Sequence, residues 1–443
     1  MTSSHLDAGT RQWFSRLAHP LDKRSAPRLV LLLLGAILAR GRRTITSWIR
    51  AAGLSGQFRP CYTTVAAAGK KADDVAARLA LDVVELTAAD ADRLTLALDD
   101  TPTERYGPHV QGAGVHHNPT PGPASSPYVY GHVFVVLGLL ARHRAWGVVA
   151  LPLLARLYVR KKDLPGIDPK HRPAFRTKLE LGVELLRWAS AWLGLLKKPL
   201  WVVADGAYAK APFLKPAMAL GMTVVSRLRK DAALRTVPGP PRKGQRGRPR
   251  IYGEQRIDLA KRGGQRRGWT TGVFDLYGKP TAKRYKTFLA TWRPVGGVIR
   301  VVLVEEPRGW VAFFCTDPTV TVGDILTTVA DRFSLETAFR DCKEIVGAGQ
   351  QQVRFVWASV GAFHVCLWTY TMTESWAWCR SAETLVDRST SPWDDPGRRP
   401  SHADKRRAWR QTLLREEIHA VLRPGATDAE IEAAADRLLS LAA

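Results

Sequence analysis

Apolar residues recur along the chain with two periods, and the switches between them outline the elements. Residues 29–39 are apolar at helical spacing, 44–52 follow from Thr44 as a helix start, and 73–86 repeat every three to four positions. The first 92 residues are therefore expected to be helical. From residue 94 the pattern changes: 94–98 predicts a short strand ending at Asp99-Asp100-Thr101, the Gly/Pro-rich passage 107–127 predicts irregular backbone, and 128–140 alternates and then becomes wholly apolar, as a buried strand does. A helix is expected over 178–195 and a strand over 200–204, ending at Asp205-Gly206. Strand-like segments at 269–277, 286–293, 298–305 and 310–315 read as a β-rich insertion, and helices follow over 324–346 and 353–378. A polar break at 387–402, with Pro392, Pro396 and Pro400, precedes a last helical segment, 403–443. No repeat of fixed period is present.

This order of elements predicts an α/β protein. Its expected units are a helical N-terminal unit (1–92), a core in two parts (93–225 and 319–385), a β-rich insertion (226–318) and a helical C-terminal segment (386–443). The total of 443 residues, 45% of them hydrophobic with 15 Trp, suits two to four folding units with a substantial buried core. The most apolar run, 29–38, is flanked by Arg28 and Arg40 and is too short to cross a bilayer, and no leader pattern opens the chain, so a cytoplasmic protein is expected. Cys61, Cys315, Cys342, Cys366 and Cys379 include no CxxC pair and read as reduced and mostly buried.

Charge narrows the function. The chain carries 66 Lys+Arg against 40 Asp+Glu, a net +26, which calls for a polyanionic partner. Residues 227–300 hold 20 Lys+Arg against 4 Asp+Glu, so the excess is concentrated in the insertion. Its run Arg242, Lys243, Arg246, Arg248, Arg250 is interleaved with Gly and Pro, which keeps the chain extended, as in an arm lying in a minor groove or a basic loop on phosphates. Such a Gly/Pro-broken region does not suit a membrane surface, which favours an amphipathic helix. Arg40, Arg42, Arg43 and Arg50 sit on or between the first two helices, where they fit either a DNA-gripping helix-turn-helix or a solvated basic face.

Three acidic positions stand against this background. Asp99 or Asp100 closes one apolar strand, Asp205 closes another, and ligands of α/β sheets gather outside the carboxyl ends of strands. Asp99 and Asp100 point to opposite faces of a strand, so periodicity leaves the choice between them open. Glu336 shares one helix face with three bases: at 100° per residue, Arg332, Arg340 and Lys343 lie within about 40° of it around the axis. Taken singly, Asp205-Gly206 is a turn dipeptide and Arg332/Glu336 an i,i+4 ion pair. Together, converging carboxylates need a counter-charge, which hard divalent cations with oxygen ligands supply; Mg²⁺ is expected, as two ions, with Mn²⁺ as a substitute.

The order Leu-Asp99-Asp-Thr-Pro, Val-Ala-Asp205-Gly-Ala-Tyr and Arg332-Phe-Ser-Leu-Glu336 with Lys343 resembles the DDE transposases of bacterial insertion sequences, whose third motif is Tyr-x₂-Arg-x₃-Glu-x₆-Lys. The resemblance runs over about 94–355 and takes in the stretch from Gly112 to Pro119, while the Tyr position holds Val329. The helical patterns at either end are read as an all-α N-terminal DNA-binding domain and a helical C-terminal segment; the resemblance itself implies an RNase-H-like catalytic core interrupted by a β-rich insertion, for which the 130 residues between Asp205 and Glu336 leave room. It further implies Asp99, Asp205 and Glu336 as catalytic metal ligands, with Asp99 favoured over Asp100 because Thr101 stands two residues on. Arg332 and Lys343 then fall on phosphates, and a homodimer acts on double-stranded DNA at the element ends and target. A nuclease that cuts without joining, and a domesticated DNA-binding protein, are the alternative readings.

Other features fit blander roles. Trp269, Trp292 and Trp310 could each stack on an extruded base, but core packing is the ordinary use of a strand Trp. His116 and His117 diverge and read as loop hydrogen-bonders. No GxSxG, P-loop or GxGxxG motif is present.

Overall fold

Five helices lead the chain: α1 (Ala8–Ala18), α2 (Ser25–Leu38), α3 (Ile45–Ala51), α4 (Phe58–Lys70) and α5 (Ala72–Thr87). The computed structural model describes residues 8–117, 126–240, 247–389, 391–421 and 424–442. Thr44 caps α3 by accepting from the Ser47 amide at 3.2 Å, the use of threonine at a helix start that the sequence announces.

Next come β1 (Leu94–Glu104), β2 (Gly114–His117), β3 (Tyr128–His143) and β4 (Gly147–Tyr158), then α6 (Lys178–Leu193), β5 (Leu200–Ala204), α7 (Ala211–Ala219) and β6 (Thr223–Leu228). In sheet order, β4, β3, β1, β5 and β6 are neighbours; β3 runs antiparallel to β1 and β4, whereas β5 runs parallel to β1 and β6. β1 is longer than the pattern suggests. Its pairing with β3 continues through Asp100↔Val135 to Glu104↔Gly131, so Asp99 lies in mid-strand instead of at an exit. The partner strand supplies hydrogen bonds that no local alternation reveals. β4 carries no period-2 signal because it is buried almost throughout and contains Pro152, which is accommodated where the register with β3 shifts at Leu137/Gly138.

The segment after β6 adds β7 (Leu234–Arg235), β8 (Arg256–Ile257), α8 (Leu259–Gly264), β9 (Thr270–Leu276), β10 (Lys279–Trp292), β11 (Gly297–Glu306) and β12 (Gly309–Cys315). These strands extend the core sheet through the antiparallel pair β12–β6, in which Ala312 faces Leu228 and Cys315 faces Val225. The expected helix over 324–346 is three pieces: α9 (Val322–Asp331), α10 (Phe333–Asp341) and a π-helical turn, Cys342–Val346. The break has a local cause: Ser334 Oγ takes the Asp331 carbonyl at 2.7 Å, and the Leu335 amide bonds to the Arg332 carbonyl three residues back.

α11 (Val356–Ala377) is buried on nearly every side, packed against α4, α5 and β4. α12 (Ala382–Leu385) and α13 (His402–Val421) follow, then α14 (Asp428–Ala442). α13 ties the ends of the chain together: Arg406 donates to the carbonyls of Ala36 and Ala39 and Arg410 to that of Leu38, closing the C-terminus of α2. One hydrophobic core runs from the N-terminal helices through the sheet to α11 and α13. Mixed sheet and flanking helices are compatible with a DDE nuclease fold. Among the described residues no helix is long and apolar enough to cross a membrane. All five cysteines are free, and Cys379 alone is exposed.

Candidate active site

The parallel register of β1 and β5 pairs Leu98 with Ala204, so the next residue on each strand is an aspartate, Asp99 beside Asp205. Neighbouring strands lie about 4.8 Å apart, which puts the two carboxylates at the same level of the sheet. Asp205 begins a single 3₁₀ turn and its Oδ2 accepts from the Ala207 amide at 3.1 Å; the turn reading of Asp-Gly is thus correct, and it is also what points Asp205 past the strand end. Asp99 Oδ1 accepts from the Asp100 amide at 2.8 Å.

Asp99 and Asp100 diverge, as neighbours on a strand must. Asp99 faces α10, whereas Asp100 meets Lys178 Nζ at 2.6 Å near the buried Tyr208. Glu336 reaches the Asp99 side through Arg332, whose two terminal nitrogens donate to Asp99 Oδ2 at 2.5 Å and to Glu336 Oε1 at 2.8 Å. The i,i+4 pair exists, but it is half of a bridge between two elements. Burial pushes the Asp99 carboxyl up to about 6; Arg332 opposes this, and the charges of Asp100 and Asp205 add to it.

These residues suit a hard cation: an all-oxygen donor set, partly shielded, whose mutual repulsion already raises one member's proton affinity. Among the described residues no three His, Cys, Asp or Glu side chains are gathered into a cation cage, and the Arg332 guanidinium lies between Asp99 and Glu336. A cation clasped by all three acids needs Arg332 to turn aside.

The other basic positions scatter. Lys343 lies in the π-helical turn, its pKa lowered by burial, with Glu104 the acid in reach from β1, roughly 17 Å along the strand from Asp99 at about 3.4 Å per residue. Arg340 is exposed and bonds its neighbour Asp341 at 3.2 Å. Arg248 is exposed and Arg250 pairs with Glu254, while Arg242, Lys243 and Arg246, like Asn118 and Pro119, lie outside the described residues. His116 is on β2, not in a loop, and burial together with Arg160 and Lys178 pushes its imidazole down to about 4.

None of the three tryptophans stands open at this site. Trp292 is buried, Trp310 carries Lys230 over its ring at 4.9 Å, and Trp269 carries Lys286 at 4.8 Å. The exposed aromatics here are Tyr277 and Phe333, whose rings meet edge-to-face at 6.1 Å. Tyr277 holds φ +57° in the β9–β10 turn beside Gly278 at +74°, where Asn-Gly is the usual choice, and Phe333 opens α10 next to Arg332. A Tyr-Gly turn carries no recognisable signal in sequence.

A family model described as DDE superfamily endonuclease matches residues 16–293, well over half of the chain. The match covers Asp99 and Asp205 and ends before Arg332 and Glu336. A search of curated proteins finds no match. Members of this family generally use divalent metal ions and act on DNA. The chain belongs to the DDE superfamily endonucleases.

Proposed function

We propose that this protein is a DNA transposase that cleaves the ends of its mobile element and joins the freed 3′-OH to target DNA, working from an RNase-H-like core. The observation that carries the reading is that Asp99 and Asp205 stand level on neighbouring strands and that Arg332 bridges Asp99 to Glu336, positions up to 237 residues apart in the chain. These three carboxylates are the ligands for two Mg²⁺ ions, and Mn²⁺ would substitute. When bound, such a pair lowers the pKa of the attacking water and stabilises the leaving oxygen of an in-line displacement.

The chain's own groups do the rest. Arg332 holds the acids apart as a counter-charge until a scissile phosphate offers it a better partner, and a planar guanidinium suits the two oxygens of that phosphate. Arg340, exposed on α10, and Lys343, in the turn that follows it, would meet phosphates away from the acids, and the arm of Arg242, Lys243, Arg246, Arg248 and Arg250 holds the flanking duplex. The N-terminal helices, with Arg40, Arg42 and Arg50 exposed, add a second DNA-gripping surface. Water and then a 3′-OH act on the same kind of phosphodiester, so one site serves both steps. Two ends must be cut and joined, which a homodimer on DNA accomplishes.

The decisive assay supplies precut ends carrying a free 3′-OH together with target plasmid. Joined products are expected with Mg²⁺ or Mn²⁺; a nuclease that only cuts gives none.

A second expectation concerns pH. The Asp99 carboxyl, pushed up to about 6, must be ionised to hold a cation, so protons compete below that value. Mn²⁺ affinity, followed by electron paramagnetic resonance of the free ion, is expected to be flat above about pH 7 and to fall about tenfold per unit below 6. Unchanged affinity at pH 5 excludes Asp99 as a ligand.

A further inference from the structure

Strands β7 and β8 form a ladder of only two pairs, Leu234↔Ile257 and Arg235↔Arg256. Leu234 and Ile257 are buried together, which leaves the two arginines side by side on the other face. Directly opposite residues of an antiparallel pair have Cβ atoms about 5 Å apart, and like charges at such positions repel. A third arginine, Arg293, joins them around a cavity of about 310 Å³ lined also by Tyr252 and Thr291, with no carboxylate among the described residues of its wall. Arg235 is held by the carbonyls of Gly253 at 3.3 Å and Glu254 at 3.0 Å. Arg256 and Arg293 are exposed, and neither makes an ion pair among the described residues.

Three arginines thus line one void, two of them set side by side by strand register, which favours an anionic ligand. The same place is the root of the basic arm. The Gly253 amide bonds to the Thr236 carbonyl at 2.9 Å and the Thr236 amide to the Gln255 carbonyl at 3.0 Å, which ties Thr236 to the described stretch 247–255, a loop that bears Arg248 and Arg250. We propose that Arg235, Arg256 and Arg293, with the Tyr252 hydroxyl, form a phosphate clasp that takes a backbone phosphate of duplex DNA. The inference rests on the transposase reading for its partner. DNA is favoured over a free anion because the cavity's arginines belong to a stretch, residues 227–300, with a large positive excess, which one isolated phosphate does not match.

The test is the salt dependence of binding to a 30-base-pair duplex by fluorescence anisotropy, using the full chain. Each phosphate contact contributes about 0.9 to the slope of log K against log salt, so Arg256→Gln with Arg293→Gln, which opens the clasp on its one phosphate, is expected to lower its magnitude by about 1. Arg235 is kept because it braces the loop. Lys197→Gln with Lys215→Gln removes the same charge from exposed positions on the α6–α7 side and should leave the slope nearly unchanged. An equal fall in both doubles means a diffuse charge effect and overturns the clasp. So does an arginine double that loses inorganic phosphate binding, measured by calorimetry, yet keeps the full DNA slope, since the site then takes free phosphate. If the wild type binds no DNA the transposase reading itself falls; if it binds and cuts while the arginine double keeps its slope, only the clasp does.

Discussion

Asp205→Asn is expected to abolish strand cleavage, by a factor on the order of 10³ or more, while leaving DNA affinity equal to or slightly above that of the wild type. The substitution is chosen for what it preserves. Asn is as good a cap as Asp and can still accept from the Ala207 amide, so the turn after β5 survives. What disappears is one negative charge beside Asp99. In a chain of net +26, losing an acid cannot weaken attraction to DNA, so a parallel loss of binding and cutting shows that Asp205 is structural. Glu336→Gln, which keeps an acceptor for Arg332, and Asp99→Asn are expected to behave alike. Asp100→Asn supplies the contrast. Its carboxylate faces Lys178 in a partly exposed pair worth about 1 kcal/mol or less, so cleavage should stay within about tenfold of wild type. If Asp100→Asn silences the protein and Asp99→Asn does not, the acid facing α10 is not the ligand. Cleavage of labelled element-end duplex, scored beside gel-shift affinity, separates these outcomes.

That contrast marks where sequence stops being legible. Apolar runs ending in Asp99-Asp100 and Asp205-Gly206 point to two strands and two acids, because a buried strand and the turn after it are written in consecutive residues. Which aspartate faces the helix depends on β3 and β5 holding β1 in register, and neither neighbour is adjacent in sequence. Helical periodicity places Arg332 and Glu336 on one face, and they do pair, but it cannot announce that Arg332 also reaches Asp99, 233 residues away. The continuous sheet is hidden for the same reason: β12 joins β6 after a long excursion, and antiparallel pairing between distant strands leaves no local mark. Tyr277 and Phe333 meet by tertiary packing alone. The concentration of charge in the insertion is plain from composition, whereas the cross-strand pair Arg235 and Arg256 needs coordinates.

Gly361 is the tightest glycine of the α4–α11 crossing. A Cβ built there would lie 1.8 Å from the Val65 carbonyl oxygen and 2.9 Å from the Gly69 nitrogen, and one at Gly69 would lie 2.2 Å from the Trp357 carbonyl oxygen. The obstacles are backbone atoms of a neighbouring helix, so no side chain can swing away; α4 and α11 must separate. Gly361→Ala gains up to about 1 kcal/mol in helix propensity but loses packing along the whole crossing, and a net destabilisation of about 3 kcal/mol or more is expected. Gly361→Val should yield little folded protein. Gly56→Ala, with nothing within 4 Å of its added carbon, is the matched control and should stay within about 0.5 kcal/mol. Urea unfolding followed by tryptophan fluorescence reads both. The result bears on more than stability, because this crossing seats the N-terminal helices on α11 and so beside the sheet that carries Asp99 and Asp205. If Ala at 361 is tolerated as easily as at 56, those helices are not clamped there, and residues 8–87 are free to act as the independent domain that the sequence pattern suggests.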